Sequence, residues 1–109
     1  MLFVAEYDIT WEMIDAAVAK RMEWDDVKPD SFRFLGEYVW QNGDPAFRGI
    51  AVFTAGSVED MNAFVMHYGP ALTVRVHPAS DVVSAIERLN AGSRRAEAAT
   101  RRSRRRAKR

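Results

Sequence analysis

Residues 31–54 read SFRFLGEYVWQNGDPAFRGIAVFT. From Ser31 to Gln41 the residues alternate, with Phe32, Phe34, Gly36, Tyr38 and Trp40 facing one way and Arg33, Leu35, Glu37 and Val39 the other. That period of two is the signature of a long strand. Asn42-Gly43-Asp44-Pro45 is a strong turn signal, and Ala46–Thr54 reads as a second strand antiparallel to the first. A hairpin with apolar and aromatic residues on more than one side needs cover on both faces, so its neighbours in the chain decide the architecture.

Upstream, Leu2–Ile9 is rich in β-branched and aromatic residues and predicts a strand. Thr10 follows as a helix N-cap. Trp11, Ile14, Val18 and Met22 form the apolar stripe of a helix over about 11–26, with Glu12 and Asp15 near its positive end and Lys28-Pro29-Asp30 as its stop. Downstream, Ser57 with Asp60 resembles a capping box, and Met61, Phe64, Val65 and Tyr68 mark the buried side of a second helix ended by Gly69-Pro70. Leu72–His77 predicts a fourth strand that Pro78 terminates. Ser80 is expected to cap a third helix over about 81–90 with Val82, Val83, Ile86 and Leu89 buried, closed by Asn90-Ala91-Gly92. The order βαββαβ followed by a helix predicts an α+β, ferredoxin-like fold, a four-stranded antiparallel sheet with two helices on one face. The second face is expected to close against another copy, giving a symmetric homodimer.

The chain has 109 residues, 48% of them apolar, which suits one domain over residues 1–92. It lacks cysteine, and its apolar start meets Glu6 and Asp8 at once without a basic region before it. A cytoplasmic protein with no membrane insertion is expected. Charge divides the chain sharply. Residues 94–109 carry nine Lys or Arg against the single acid Glu97, whereas residues 1–93 carry seven basic residues against fourteen acids. The overall charge of +1 therefore conceals a basic tail on an acidic body, an asymmetry that speaks of a partner.

The opening Met1-Leu2-Phe3-Val4-Ala5-Glu6-Tyr7, the Phe34-Leu35-Gly36-Glu37-Tyr38 and Gly49-Ile50-Ala51-Val52-Phe53 strands, and Ser57-Val58-Glu59-Asp60-Met61 resemble DUF3303, a small prokaryotic family of unknown function among the dimeric α/β-barrels. The resemblance covers roughly residues 1–90 and leaves the tail outside. It implies the fold and the dimer, and no reaction. Dimeric α/β-barrels include cofactor-free monooxygenases, isomerases, haem degraders and ligand-binding proteins. The resemblance therefore implies a search for polar groups in an apolar cavity.

The candidates are few. His67 lies roughly where haem-degrading members of that superfamily place their iron ligand, with Trp40 as an aromatic wall; where those enzymes have Asn on the first strand, this chain has Glu6, Tyr7 and Asp8. One residue from its helix end, the His67 imidazole is equally suited to bond free carbonyls. His77 forms an acid/base pair if Glu37 or Glu6 lies beside it, and Arg75 is expected to pair with Glu37 across the sheet. Glu6, in an apolar run, is the candidate for a buried carboxyl with a raised pKa. Glu6, His67 and His77 are the acid/base candidates of an enzyme reading. Phe34, Tyr38 and Trp40 line either a ligand cavity or the core. Glu23, Asp25, Asp26 and Asp30 read as a solvated acidic surface. A phosphate loop, a nucleophile elbow, a His pair at ligand spacing and a Cys cluster are all absent from the sequence, so neither cofactor nor metal is expected.

In the tail, Arg94, Arg95, Arg101, Arg102, Arg104, Arg105, Arg106, Lys108 and Arg109 suit phosphate, which guanidinium forks bind bidentately. Residues 93–109 are expected to lack structure without a partner, because like charges repel. With no aromatic residue after Tyr68, binding to nucleic acid or another polyanion is expected to be blind to sequence. Anionic lipid, neutralisation of the acidic body and simple solubilisation are the other uses of such a tail. Two function classes follow. One is a homodimeric binding module tethered to a polyanion by its tail; the other is a cofactor-free enzyme, monooxygenase- or isomerase-like, acting on a small apolar or aromatic metabolite.

Overall fold

The computed structural model of the chain describes residues 1–44 and 46–107, with side chains as far as Arg105. Pro45 of the expected turn, the Arg106 side chain, Lys108 and Arg109 lie outside the described residues. The elements are β1 (Leu2–Ile9), α1 (Ile14–Val27), β2 (Arg33–Gln41), β3 (Phe47–Thr54), α2 (Val58–Tyr68), β4 (Thr73–Ala79) and α3 (Val82–Ala107), with 3₁₀ turns at Trp11–Met13 and Gly69–Ala71. The four strands form one antiparallel sheet in the order β2-β3-β1-β4. This bears out the α+β reading and agrees with a ferredoxin-like fold.

The sheet's two faces differ. Phe3 opposite Phe53 and Ala5 opposite Ala51 bring four buried residues of β1 and β3 onto one face. Trp24 of α1, Phe32, and Phe64 and Tyr68 of α2 complete the core there. Phe32 stacks on Phe53 at 4.6 Å between centroids and meets Trp24 edge-on at 5.0 Å. On the opposite face the pairs are Val4 with Val52 and Glu6 with Ile50, all half-buried except the exposed Glu6. The start of α2 follows the expected chemistry, the Ser57 hydroxyl accepting the Asp60 amide at 3.1 Å. The Asp60 carboxylate does not complete a capping box. It accepts instead from the hydroxyl of Ser31, which itself accepts the Gly56 amide at 2.9 Å, tying the entry of α2 to the entry of β2.

Four expectations are corrected. Leu35 is an extra residue in β2, since Phe34 pairs with Phe53 and Gly36 already pairs with Val52. A slip of one residue reverses every side chain beyond it. Glu37 and Val39 therefore share the helix-covered face with Phe34, and Tyr38 and Trp40 turn to the other. In α1 the stripe Trp11, Val18 and Met22 is exposed and Ala17 and Trp24 are buried. Turning Trp24, with its large apolar area, onto Phe32 and Phe64 is worth more than burying Val18 and Met22, and the small Ala17 lets the helix approach. β4 continues through Pro78, which pairs with Phe3. The strand is at the sheet edge, where a missing N–H that faces outward costs no ladder bond.

The fourth correction concerns α3, which belongs to the second of two compact units, Met1–Ala79 and Ser80–Arg109. It does not close at Asn90-Ala91-Gly92 but runs to Ala107, so residues 93–107 are helical. Val82, Val83, Ile86 and Leu89 are exposed rather than buried. The N-terminal oxygen comes from Asp81, not Ser80: Asp81 Oδ1 accepts the Ser84 amide at 2.9 Å and Oδ2 accepts the Ser84 hydroxyl at 2.7 Å. The first of these bonds holds the Asp81 carboxyl below the usual carboxylate range. A carboxyl whose folded pKa is depressed supports the helix above its ordinary pKa and loses that support as pH falls through the depressed value. The Ser84 amide resonance should therefore titrate with a midpoint below that of an ordinary Asp. A titration centred above the ordinary Asp value would contradict the cap.

Candidate functional site

The sheet and the two helices α1 and α2 do not close completely. A cavity of about 290 Å³ lies between them, walled by Ile9, Ala17, Val18, Val39, Phe64 and Leu72 and carrying the polar groups of Tyr7, Arg21, Glu37 and Tyr68. Each polar group is placed by a local rule. Tyr7 follows Phe3 and Ala5 on the inward side of β1. Its cross-strand partner is Gly49, and a Cβ there would overlap the Tyr7 ring. Glycine thus leaves room for the phenol to lie over the backbone of β3. Tyr68 is four residues after Phe64 and so shares its face of α2.

Arg21 of α1 reaches across to Glu37. Its Nε donates to Oε1 and its Nη2 to Oε2, both at 2.8 Å, and its Nη1 donates to Asp25 Oδ1 at 3.0 Å. The guanidinium lies 4.7 Å from the centre of the Phe34 ring. The bidentate bond to Glu37 holds Arg21 protonated more firmly than usual, despite partial burial. This pair exists because of the slip at Leu35; unbroken alternation would have aimed Glu37 at the opposite face, where it was expected to meet Arg75. The two phenols behave alike. Burial raises the Tyr68 pKa, with Glu37, Tyr7 and Asp25 adding to the rise and Arg21 opposing it, and burial first, then Glu37, raises that of Tyr7. Both remain protonated hydrogen-bond donors near neutral pH.

The opposite face of the sheet carries a charged row. Arg48 donates to Asp8 at 3.2 Å, Arg75 lies 3.6 Å from Asp8 and 4.0 Å from Glu6, and His77 Nε2 lies 3.4 Å from Glu6 Oε2. Glu6 and His77 are thus neighbours, as one expectation had it, but their side chains are 51% and 60% exposed. The buried Glu6 carboxyl and the Arg75–Glu37 pair are both corrected. Exposed pairs of this kind are each worth about 0–1 kcal/mol.

His67 is drawn into packing. Its Nε2 bonds the Lys20 carbonyl of α1 at 2.8 Å, and its ring lies 5.2 Å from Trp24 and 5.5 Å from Tyr68. It joins α2 to α1. None of Glu6, His67 and His77 lines the cavity. Of Phe34, Tyr38 and Trp40, only Tyr38 does, and it reaches no further than the rim, from the edge strand β2; Phe34 packs on Phe32, 4.9 Å away, and Trp40 borders a smaller cleft beside Arg48 and Arg75. Glu23 and Asp25 pair with Lys20 and Arg21, and no cluster of His, Asp or Glu suited to a metal occurs among the described residues. Tyr7, Arg21 and Tyr68 were not singled out from sequence. The signal was the polar tip at an inward-facing position, and for Tyr7 the glycine that faces it.

In α3, at roughly 3.6 residues per turn, Arg94, Arg101 and Arg105 fall on one line and Arg88, Arg95 and Arg102 on an adjacent one. Leu89, Ser93, Ala96, Thr100 and Ser103 form an uncharged arc opposite, with Arg104 and Glu97 beside it. No helix among the described residues is long and apolar enough to cross a membrane. A family model described as Domain of unknown function (DUF3303) matches residues 1–93. The match takes in the sheet, α1, α2 and the first turns of α3, and stops before the arginine-dense segment. No curated protein matches the chain.

Proposed function

The chain belongs to the DUF3303 family, and from that footing we propose that it is a homodimeric binding module whose C-terminal helix holds nucleic acid or another polyanion without regard to sequence. The observation that supports this is the sorting of charge around α3, where six of its seven described arginines share one side and the seventh, Arg104, borders an uncharged arc opposite. A helix presents such a side to a row of phosphates at fixed spacing, and guanidinium forks suit phosphate geometry. The segment lies outside the family match, so it adds to the domain and leaves the domain's own ligand open. Support for the dimer comes from Leu35, Tyr38 and Trp40, large apolar side chains exposed on β2 at 59%, 67% and 48%.

The full chain should bind a duplex of arbitrary sequence with log K falling against log salt at a slope near −5 if about six phosphates are engaged, and near −4 on a single strand. Replacing Arg94, Arg101 and Arg105 together with Gln should flatten the duplex slope by about 3. Light scattering on the same samples should give twice the 12.4 kDa chain mass. Unchanged binding by the triple variant would overturn the polyanion reading; a monomeric mass would overturn the dimer alone.

A further inference from the structure

We infer that the cavity between the sheet and helices α1 and α2 is a binding site for a small, flat, uncharged molecule with an apolar body and a carbonyl oxygen, which the Tyr7 and Tyr68 hydroxyls bind. This inference does not depend on the polyanion reading, because every residue of the cavity lies before the basic helix.

Tyr68 carries the argument. It is 4% exposed and lines the cavity, yet among the described residues its hydroxyl has no hydrogen-bond partner. Its ring shares the cavity wall with Tyr7, Arg21 and Glu37. A hydroxyl that opens on such a space can donate its hydrogen to an acceptor placed there. Tyr7, on the facing strand, offers a second donor to the same space, likewise without a hydrogen-bond partner among the described residues. A carbonyl oxygen has two lone pairs and so accommodates both hydroxyls.

Charge selects among acceptors. A carboxylate ligand would look to Arg21, but Arg21 is already held in a fork by Glu37 and bonded to Asp25, so the local charge is one cation against two anions. A cationic ligand would look to Glu37, both of whose oxygens are taken by Arg21. The two phenols remain protonated and donate. A neutral carbonyl meets these conditions and a charged ligand does not. Shape selects the body. Ile9, Val18, Val39 and Leu72 supply aliphatic walls, Phe64 an aromatic one, and about 290 Å³ suits a bicyclic aromatic molecule. Tyr38 stands at the rim, 67% exposed.

The test uses the full-length protein and three probes with the same rings: 2-acetylnaphthalene, 2-ethylnaphthalene and 2-naphthoate. Calorimetry should show the ketone binding about tenfold tighter than the hydrocarbon, as two hydrogen bonds imply, and the carboxylate binding weakest. Tyr68→Phe and Tyr7→Phe keep the ring packing and remove one donor each. Either should reduce the ketone's advantage about threefold and leave the hydrocarbon's affinity unchanged. The methyl resonances of Ile9, Val18 and Leu72 should shift with the ketone. Equal affinity for ketone and hydrocarbon, or an advantage that survives in the Tyr7→Phe/Tyr68→Phe variant, would overturn the inference, as would failure of all three probes to bind. The variant with Arg94, Arg101 and Arg105 replaced by Gln should bind the ketone as the native chain does, which separates this result from the outcome for α3.

Discussion

Trp24→Ala should lower the unfolding free energy by roughly 3–5 kcal/mol, the range for removing a large aromatic side chain from a packed core. Trp24 is 1% exposed and is among the largest fully buried side chains of the molecule. Its ring meets Phe32 edge-on at 5.0 Å and Phe64 at 5.5 Å, and lies 5.2 Å from His67. It is thus where α1, α2 and the entry to β2 come together, and the neighbours are too large and too interlocked to fill the space it leaves. Domains of this size have about 5–15 kcal/mol in total, so the loss is a large share of it and should lower the midpoint of urea unfolding by more than about 1 M. Trp24→Phe is expected to be far milder. The Trp24 Nε1 is buried without a partner among the described residues, so its removal relieves an unsatisfied donor while the aromatic contacts largely remain. Urea titrations of both variants decide the matter; a loss below about 1.5 kcal/mol for Trp24→Ala would mean that the core collapses around the gap.

Gly49→Ala should be nearly as damaging for a methyl group's worth of change. Gly49 is buried in β3 opposite Tyr7, and an added Cβ would overlap the Tyr7 ring and its hydroxyl. The ring has to leave its place over the strand or the strand has to move, at a cost of roughly 1–3 kcal/mol. The variant should also lose much of its preference for 2-acetylnaphthalene, since the displaced phenol no longer faces Tyr68. A double-mutant cycle isolates the cause. In a Tyr7→Ala background the same substitution should cost at least about 1 kcal/mol less, because the clash is gone. Strictly additive losses would show that Gly49 is needed for some other reason.

The order of elements was legible from local signals. Alternation marked β2 and β3, the Asn42-Gly43 turn joined them, and Ser57 announced α2. Three features escaped local reading for identifiable reasons. The first is the extra residue at Leu35, which shifts Glu37 to the inner face. Periodicity counts residues and assumes each advances the pattern, although Gly36, the residue after the extra one, is the type that marks such interruptions in a strand. The second is the rotation of α1. With apolar residues on two sides of a helix, spacing alone does not choose between Val18 and Met22 on one side and Ala17 and Trp24 on the other; contact with Phe32 and Phe64 does. The third is the cavity itself. Its polar members come from β1, α1, β2 and α2, residues far apart in sequence, and Arg21 and Glu37 read separately as ordinary surface charges. The arginine side of α3 was half legible. Arginine count pointed to it, but its arrangement on one side of a helix needed α3 to continue past Gly92.

Pro78 in β4 bears on how copies of this chain can meet. With the order β2-β3-β1-β4, the sheet ends at β4, and an edge strand ordinarily offers its free amides as a template for further strands. Pro78, opposite Phe3 within that edge, has no amide to offer. A neighbouring strand laid along β4 would forfeit a bond at that rung and meet the pyrrolidine ring. At the β4 edge, a single imino acid therefore acts as a stop against end-to-end growth of the sheet into a ribbon.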